Sequence, residues 1–128
     1  MFSNLTPTHY IIGLSVLVIV GVVGFKSMSE DAPGAYDMFA SCIAESGTTF
    51  YGAFWCPHCA DQKELFGNSA ALLPYVECSM PNGQAQTAIC IEEEIQGYPT
   101  WEFPSGERVS RVMTLGELAE KTNCALPN

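Results

Sequence analysis

The stretch from Phe50 to Phe66, FYGAFWCPHCADQKELF, constrains this chain more than any other. An uncharged apolar run, Phe50 to Phe54, leads into Trp55-Cys56-Pro57-His58-Cys59 and then into a segment of helical character. A short apolar run bounded by turn residues suits a strand buried on both faces. Pro57 stands where a helix would begin, and proline is favoured at the first helical position. Cys56 is then the expected N-cap, its sulfur close to free backbone N–H groups and the positive end of the helix dipole. That setting favours a thiolate, the species that attacks disulfides. Cys59 lies one turn further on, able to reach back and close a disulfide, and a charged His58 would favour the thiolate again. A Cys-x-x-Cys pair also occurs as half of many zinc sites or as an inert bridge. A zinc site needs two more ligands, and the chain offers no second Cys-x-x-Cys or His-x-x-His to supply them. The strand, the Trp-Cys-Pro junction and the helix agree on a redox dithiol.

With 128 residues the chain has room for one domain. Without the apolar N-terminal segment roughly 90 residues remain, a core small enough to benefit from cross-links. A net charge of −9 with only five Lys and Arg argues against nucleic-acid binding. Six cysteines in so short a chain point to an oxidising compartment.

Residues 1–9 are polar and carry no Lys or Arg. Tyr10 to Phe25 is unbroken by charge and, extended by its flanks to residues 10–28, is expected to form a single transmembrane helix. The competing reading is a cleavable signal peptide. Against it, the start lacks a positive charge and Ser27-Met28-Ser29 is a poor cleavage site. Lys26, the one flanking basic residue, would by itself put the domain on the cytoplasmic side. The six cysteines outweigh that single charge and put the domain outside.

Residues 29–35 form a polar linker and 36–128 the folded domain. A helix is expected from Ala35 to Glu45, with Tyr36, Phe39 and Ile43 on one side and Gly47 ending it. Gly67-Asn68-Ser69 breaks the pattern after the redox helix, and Tyr75 to Cys78 suits a short strand. Gln84 to Ile95 is helix-like, with Glu92-Glu93-Glu94 read as a solvated face. Pro99–Phe103 and Glu107–Val112 read as a hairpin around Pro104-Ser105-Gly106. Thr114 to Glu117 is a capping box opening a final helix that ends near Asn123. The order α-β-α-β-α-β-β-α gives an α/β domain with a small mixed sheet covered on both faces. That is a thioredoxin-like fold with a short first strand or none.

In that topology Pro99, within Gly97-Tyr98-Pro99-Thr100-Trp101, comes beside the Cys-x-x-Cys helix. A cis proline there would remove an N–H that could crowd the sulfurs and leave the backbone of Tyr98 free to pair with an extended substrate. Trp101 is expected in the core, and Trp55 at the rim, where an amphipathic ring suits recognition.

YGAFWCPHC, Gln62-Lys63-x-x-Phe66-Gly67, YVECS and GYPTW together resemble one group of thioredoxin-like domains, over roughly Asp37 to Cys124. These are fused to, or work beside, bacterial and plant vitamin K epoxide reductase homologues. The resemblance implies oxidation of thiols in exported proteins, with electrons passed to a quinone-reducing membrane partner. It places the exchange pair at Cys56 and Cys59 and the cis-proline at Pro99. The Pro57-His58 dipeptide is also that of the strongly oxidising DsbA proteins. No four-helix reductase domain lies within the sequence, so the quinone partner is expected on another chain. General thioredoxins hold a buried acid six residues before the first cysteine. Here that residue is Phe50, which leaves the proton acceptor for Cys59 unassigned.

The group carries a disulfide with the spacing of Cys78 and Cys90. With those assigned, Cys42 and Cys124 remain for each other, and the rival use of either pair is electron relay towards the membrane partner. The expected protein is a membrane-anchored thiol-disulfide oxidoreductase facing the periplasm or a thylakoid lumen. It needs no metal or cofactor beyond its own disulfide, with quinone acting only through the partner. The alternatives are a reductase or isomerase on the same scaffold, or a non-catalytic module binding metal or client thiols.

Overall fold

The structure is a computed structural model that describes residues 32–128. The expected polar segment 1–9, the expected membrane anchor 10–28 and the first residues of the 29–35 linker lie outside the described residues. Among the described residues, no helix is long and apolar enough to cross a membrane.

The elements run α1 (Asp37–Glu45), β1 (Thr49–Gly52), α2 (Pro57–Glu64), a 3-10 helix (Gly67–Leu72), β2 (Tyr75–Glu77), α3 (Ala88–Glu92), β3 (Thr100–Glu102), β4 (Arg108–Val109) and α4 (Leu115–Thr122). The four strands make one sheet in the order β2-β1-β3-β4. β1 pairs parallel with β2 and antiparallel with β3, and β3 pairs antiparallel with β4. This mixed sheet and its element order fit a thioredoxin-like fold, and the described residues open on a helix rather than a strand.

Register sets the core. Phe50 stands opposite Tyr75 on one side and Trp101 on the other. Its ring meets that of Tyr75 edge-on at 5.2 Å and stacks on that of Trp101 at 4.5 Å. This face joins the cluster that includes Phe39 and Ile43 of α1, Cys59 of α2 and Leu118 of α4. Burying Phe50 and Trp101 contributes on the order of 1.5–3 kcal/mol each. Strand periodicity sends Tyr51 to the opposite face, into a smaller cluster with Cys78, Cys90 and Ile95.

Gln62 is the one amide fully buried in this core. Its Oε1 accepts from the Trp101 indole N–H at 3.1 Å and from the Met113 N–H at 2.7 Å. Its Nε2 donates to the Met113 carbonyl at 3.0 Å. A buried amide costs stability unless its bonds are made, and here they fasten α2 to β3 and to the loop before α4.

Several boundaries differ from the sequence pattern. The helix expected over Gln84–Ile95 is only Ala88–Glu92, because residues 79–86 satisfy one another first. Met80 N–H donates to the Ala85 carbonyl and Gly83 N–H to the Met80 carbonyl, both at 2.8 Å, and Ser79 bridges to Gln86. Gly83, at φ 72°, takes the left-handed turn this loop requires. Past the Gly67 break the chain continues as a 3-10 helix. Only Arg108–Val109 of the expected Glu107–Val112 strand pairs. The first helix starts at Asp37 rather than Ala35, with Tyr36 as its N-cap at φ −113° and the Tyr36 N–H donating to the Ser69 hydroxyl at 3.0 Å. Glu93 is more than a solvated charge: its carboxylate pairs with Arg108 at 2.9 Å.

Two disulfides staple the domain. Cys42 joins Cys124 across 82 residues and Cys78 joins Cys90 across 12. The capping box at Thr114 starts α4, and Asn123, at φ 58°, ends it next to Cys124. Loop-closure entropy favours the longer loop, giving roughly 4.5 kcal/mol against about 3 kcal/mol. Cys42→Ser/Cys124→Ser is therefore expected to lower the urea-unfolding free energy more than Cys78→Ser/Cys90→Ser, by about 1–2 kcal/mol. Equal losses from the two would show that native contacts, and not loop length, set what these bridges contribute.

Candidate functional site

α2 begins with Pro57 at its first position, and Cys56 is the N-cap, in extended geometry at φ −80°, ψ 117°. The Cys56 Sγ accepts the backbone N–H of Cys59 at 3.3 Å. This is the capping bond that a Ser or Asp would ordinarily make, and it aims a helix N-terminal donor at the sulfur. Cys56 and Cys59 are free thiols, both nearly buried, at 5% and 1% exposure. Burial pushes the Cys59 thiol up to about 12, and its contact with Cys56 adds to the rise. Cys56 therefore holds the helix donor, and Cys59 stays protonated behind it.

The Tyr98–Pro99 bond is cis, and Pro99 is buried. It brings the Tyr98 carbonyl to 3.7 Å from the Cys56 Sγ, so the thiol donates to it. Tyr98 divides two depressions. One, of about 180 Å³, is lined by Trp55, Ser79, Gln86 and Tyr98 among others. The other, of about 440 Å³, is lined by His58, Tyr98, Pro99, Ser110, Arg111 and Val112.

Trp55 lies at the rim, 53% exposed, with its indole N–H donating to the Ser79 hydroxyl at 2.8 Å and its ring edge-on to Tyr98 at 5.9 Å. Gln86 fixes Tyr98 from below, donating to its hydroxyl at 2.7 Å and to the Ile95 carbonyl at 2.9 Å. His58 is exposed and faces Asp61, Nδ1 to Oδ2 at 3.5 Å. The imidazole expected to act on Cys56 thus faces a carboxylate one turn along. Cys42–Cys124 and Cys78–Cys90 are closed disulfides. Among the described residues, no group of three or more His, Cys, Asp or Glu is placed to hold a metal ion.

Sequence reasoning missed Tyr75, Glu77, Ser79 and Gln86. Glu77 Oε1 accepts from the Phe54 N–H at 3.2 Å and from the Ser79 N–H at 2.8 Å, while Oε2 takes the Tyr75 hydroxyl at 2.9 Å. A single carboxylate so braces the loop that carries Trp55 and Cys56. The alternation of Tyr75-Val76-Glu77 placed Tyr75 and Glu77 on one face of the strand, the only signal available in the sequence. Gly52 explains how they come so near the dithiol. A Cβ on Gly52 would stand 2.6 Å from the Tyr75 ring, closer than such contacts allow, and a tight 3.0 Å from the Cys59 Sγ. Only glycine leaves that space to the phenol and the thiol.

The arrangement can form and break a disulfide. A helix N-terminus presents one sulfur, a second protonated sulfur lies behind it, and a backbone carbonyl beside a cis-proline meets the first. No protein-family model matches the chain. Over 102 residues, 77% of its length, the chain is 44% identical to thiol-disulfide oxidoreductase LTO1 of Arabidopsis thaliana. It spans about a quarter of that protein, the match covering 27% of it. The described residues thus form an α/β domain whose mixed sheet fits a thioredoxin-like fold, similar to part of a thiol-disulfide oxidoreductase and carrying a site suited to that chemistry.

Proposed function

We propose that this chain is a thiol-disulfide oxidoreductase that oxidises dithiols of exported proteins. It would be anchored by residues 10–28 and would pass the electrons to a quinone-linked membrane partner of the vitamin K epoxide reductase type. The observation that carries the reading is Cys56 at the N-cap of α2, bonded to the Cys59 N–H and facing the cis Tyr98–Pro99 carbonyl. The match to a named thiol-disulfide oxidoreductase supports the chemistry, and the uncharged run from Tyr10 to Phe25 supports the anchor.

In the oxidised state Cys56 and Cys59 share a disulfide. A client thiolate attacks the Cys56 sulfur, its bond to Cys59 breaks, and Cys59 leaves with the electron pair and takes up a proton. A second client thiol, its proton lost to solvent, then attacks the client sulfur of the mixed disulfide. The client leaves oxidised, and Cys56 departs as a thiolate facing the helix N-terminus. Two electrons now reside on the dithiol, and the membrane partner's disulfide removes them by the same exchange in reverse. The two depressions beside Tyr98 would hold the client chain on either side of the reacting sulfur, with Trp55 at its rim.

The direction of flow follows from what the site stabilises. The first turn of α2 bonds the Cys56 sulfur of the reduced pair, and stabilising the reduced form makes the disulfide a stronger oxidant. Phe50 adds no negative charge behind the dithiol to oppose this. The reduction potential of the Cys56–Cys59 pair is expected closer to the roughly −120 mV of DsbA than to the roughly −270 mV of thioredoxin. Equilibration with glutathione measures it, and a value near or below −270 mV would replace the oxidase reading by a reductase one.

Cys59→Ser removes the group that resolves mixed disulfides. It is expected to accumulate Cys56-linked adducts with exported proteins and with one quinone-linked membrane protein, separable on non-reducing gels. Adducts confined to cytoplasmic proteins would overturn the compartment. The chain itself is expected to stay with membranes through alkaline carbonate extraction, N-terminus intact. A soluble product beginning after Ser29 would show a cleaved signal peptide instead.

A further inference from the structure

Cys59 has a proton problem that the exchange chemistry must solve. For Cys59 to expel a thiol held on Cys56, its own S–H must lose a proton. The Cys59–Cys56 bond then forms, the bond from Cys56 to the bound thiol breaks, and that thiol leaves with the electron pair. Burial pushes the Cys59 thiol up to about 12, so it is held protonated at neutral pH. The position that thioredoxins give to a buried acid is Phe50, packed between Tyr75 and Trp101 with nothing to accept a proton.

Beside that gap stands a hydrogen-bonded pair, Tyr75 and Glu77. The Tyr75 hydroxyl and the Cys59 Sγ flank one point in space, 3.2 Å and 3.0 Å from where a Gly52 Cβ would stand. Tyr75 donates to Glu77 Oε2 at 2.9 Å, and Glu77 is half-buried, open on one side to solvent. The charged groups acting on this pair of side chains are few. The Lys63 ammonium sits 3.5 Å from the centre of the Tyr75 ring and favours a thiolate on Cys59. Cys56, Cys59 and Glu77 all act on Tyr75 in the sense that keeps its phenol protonated, as does its burial. The phenol is thus suited to pass a proton on while never holding the charge itself.

Building on the oxidoreductase reading, we infer that Tyr75 and Glu77 form the proton relay of Cys59, replacing the acid that Phe50 cannot supply. As Cys59 attacks, its proton moves to the Tyr75 oxygen while the Tyr75 proton moves to the Glu77 carboxylate, which releases it to solvent. Run backwards, the same path returns a proton to Cys59 when it leaves the disulfide. Lys63 offsets the negative charge while it is near the ring. Gly52 is part of the device, because any larger residue would fill the space between phenol and thiol.

The test uses the reduced full chain and 5,5′-dithiobis(2-nitrobenzoate), followed by stopped-flow absorbance. Cys56 releases the first coloured thiolate and Cys59, resolving the mixed disulfide, releases the second. The remaining four cysteines are closed in disulfides. Tyr75→Phe keeps the ring against Phe50 and under Lys63, and removes only the hydroxyl. It is expected to slow the second phase about tenfold or more near neutral pH. The deficit should narrow as pH rises towards the Cys59 value of about 12, where hydroxide substitutes for the relay. The first phase should stay within about twofold of the wild type, and Glu77→Gln should slow the second phase in the same way. A Tyr75→Phe second phase that matches the wild type at every pH would overturn the relay. So would equal slowing of both phases, which would mark a general disturbance of the site. A wild-type chain that gives no second phase would instead sink the oxidoreductase reading itself, leaving the two failures distinct.

Discussion

The row Tyr75–Phe50–Trp101 across three strands is the constraint on which the rest of this domain depends. Phe50 is in register with an aromatic residue on each side, and the three rings form one apolar band over the centre of the sheet. The band fixes the height at which α2 can pack, and Gln62 pins it there by bonding to the Trp101 indole and to both backbone groups of Met113. With α2 fixed, its N-terminus and therefore Cys56 are fixed. An aromatic ring in the middle of the sheet also dictates the electrostatics of the site, since no carboxylate can stand where Phe50 does.

That choice divides the work between the two sulfurs. Cys56 meets a helix N–H and a backbone carbonyl, and both bonds come from groups whose positions the fold guarantees. Cys59 lies deeper, against apolar atoms that oppose its ionisation. Beside it, on β2, stand a phenol and a carboxylate that Gly52 leaves room for. The same carboxylate holds the Phe54 and Ser79 N–H groups, so the loop bearing the dithiol and the polar chain beside it share one anchor.

The face opposite the aromatic band is thinly covered. Tyr51, Ile95 and the buried Cys78–Cys90 bridge make most of its cluster, under a helix of five residues. A disulfide suits such a place, because a short helix with little apolar surface contributes little packing of its own. The 79–86 loop next to it turns back on its own backbone, and through Ser79 and Gln86 it supports Trp55 and Tyr98 at the rim of the site. A structural staple on one face thereby steadies the rim of the dithiol site.

Periodicity and punctuation in the sequence determined the element order, the capping box at Thr114, the β3–β4 hairpin and the dithiol at a helix start. These depend on neighbours within a few residues, where spacing alone decides which side chains share a face. Tertiary structure alone decided how far α3 extends, because the loop before it spends on itself the hydrogen bonds a helix would need. It also decided where His58 points. An exposed imidazole takes the nearest carboxylate, and Asp61 becomes that carboxylate only once α2 is wound. Above all it joined Tyr75, Glu77, Gly52 and Cys59 at one point. They are scattered over two strands and a helix, and no local pattern can announce a contact that strand register and a missing Cβ create together.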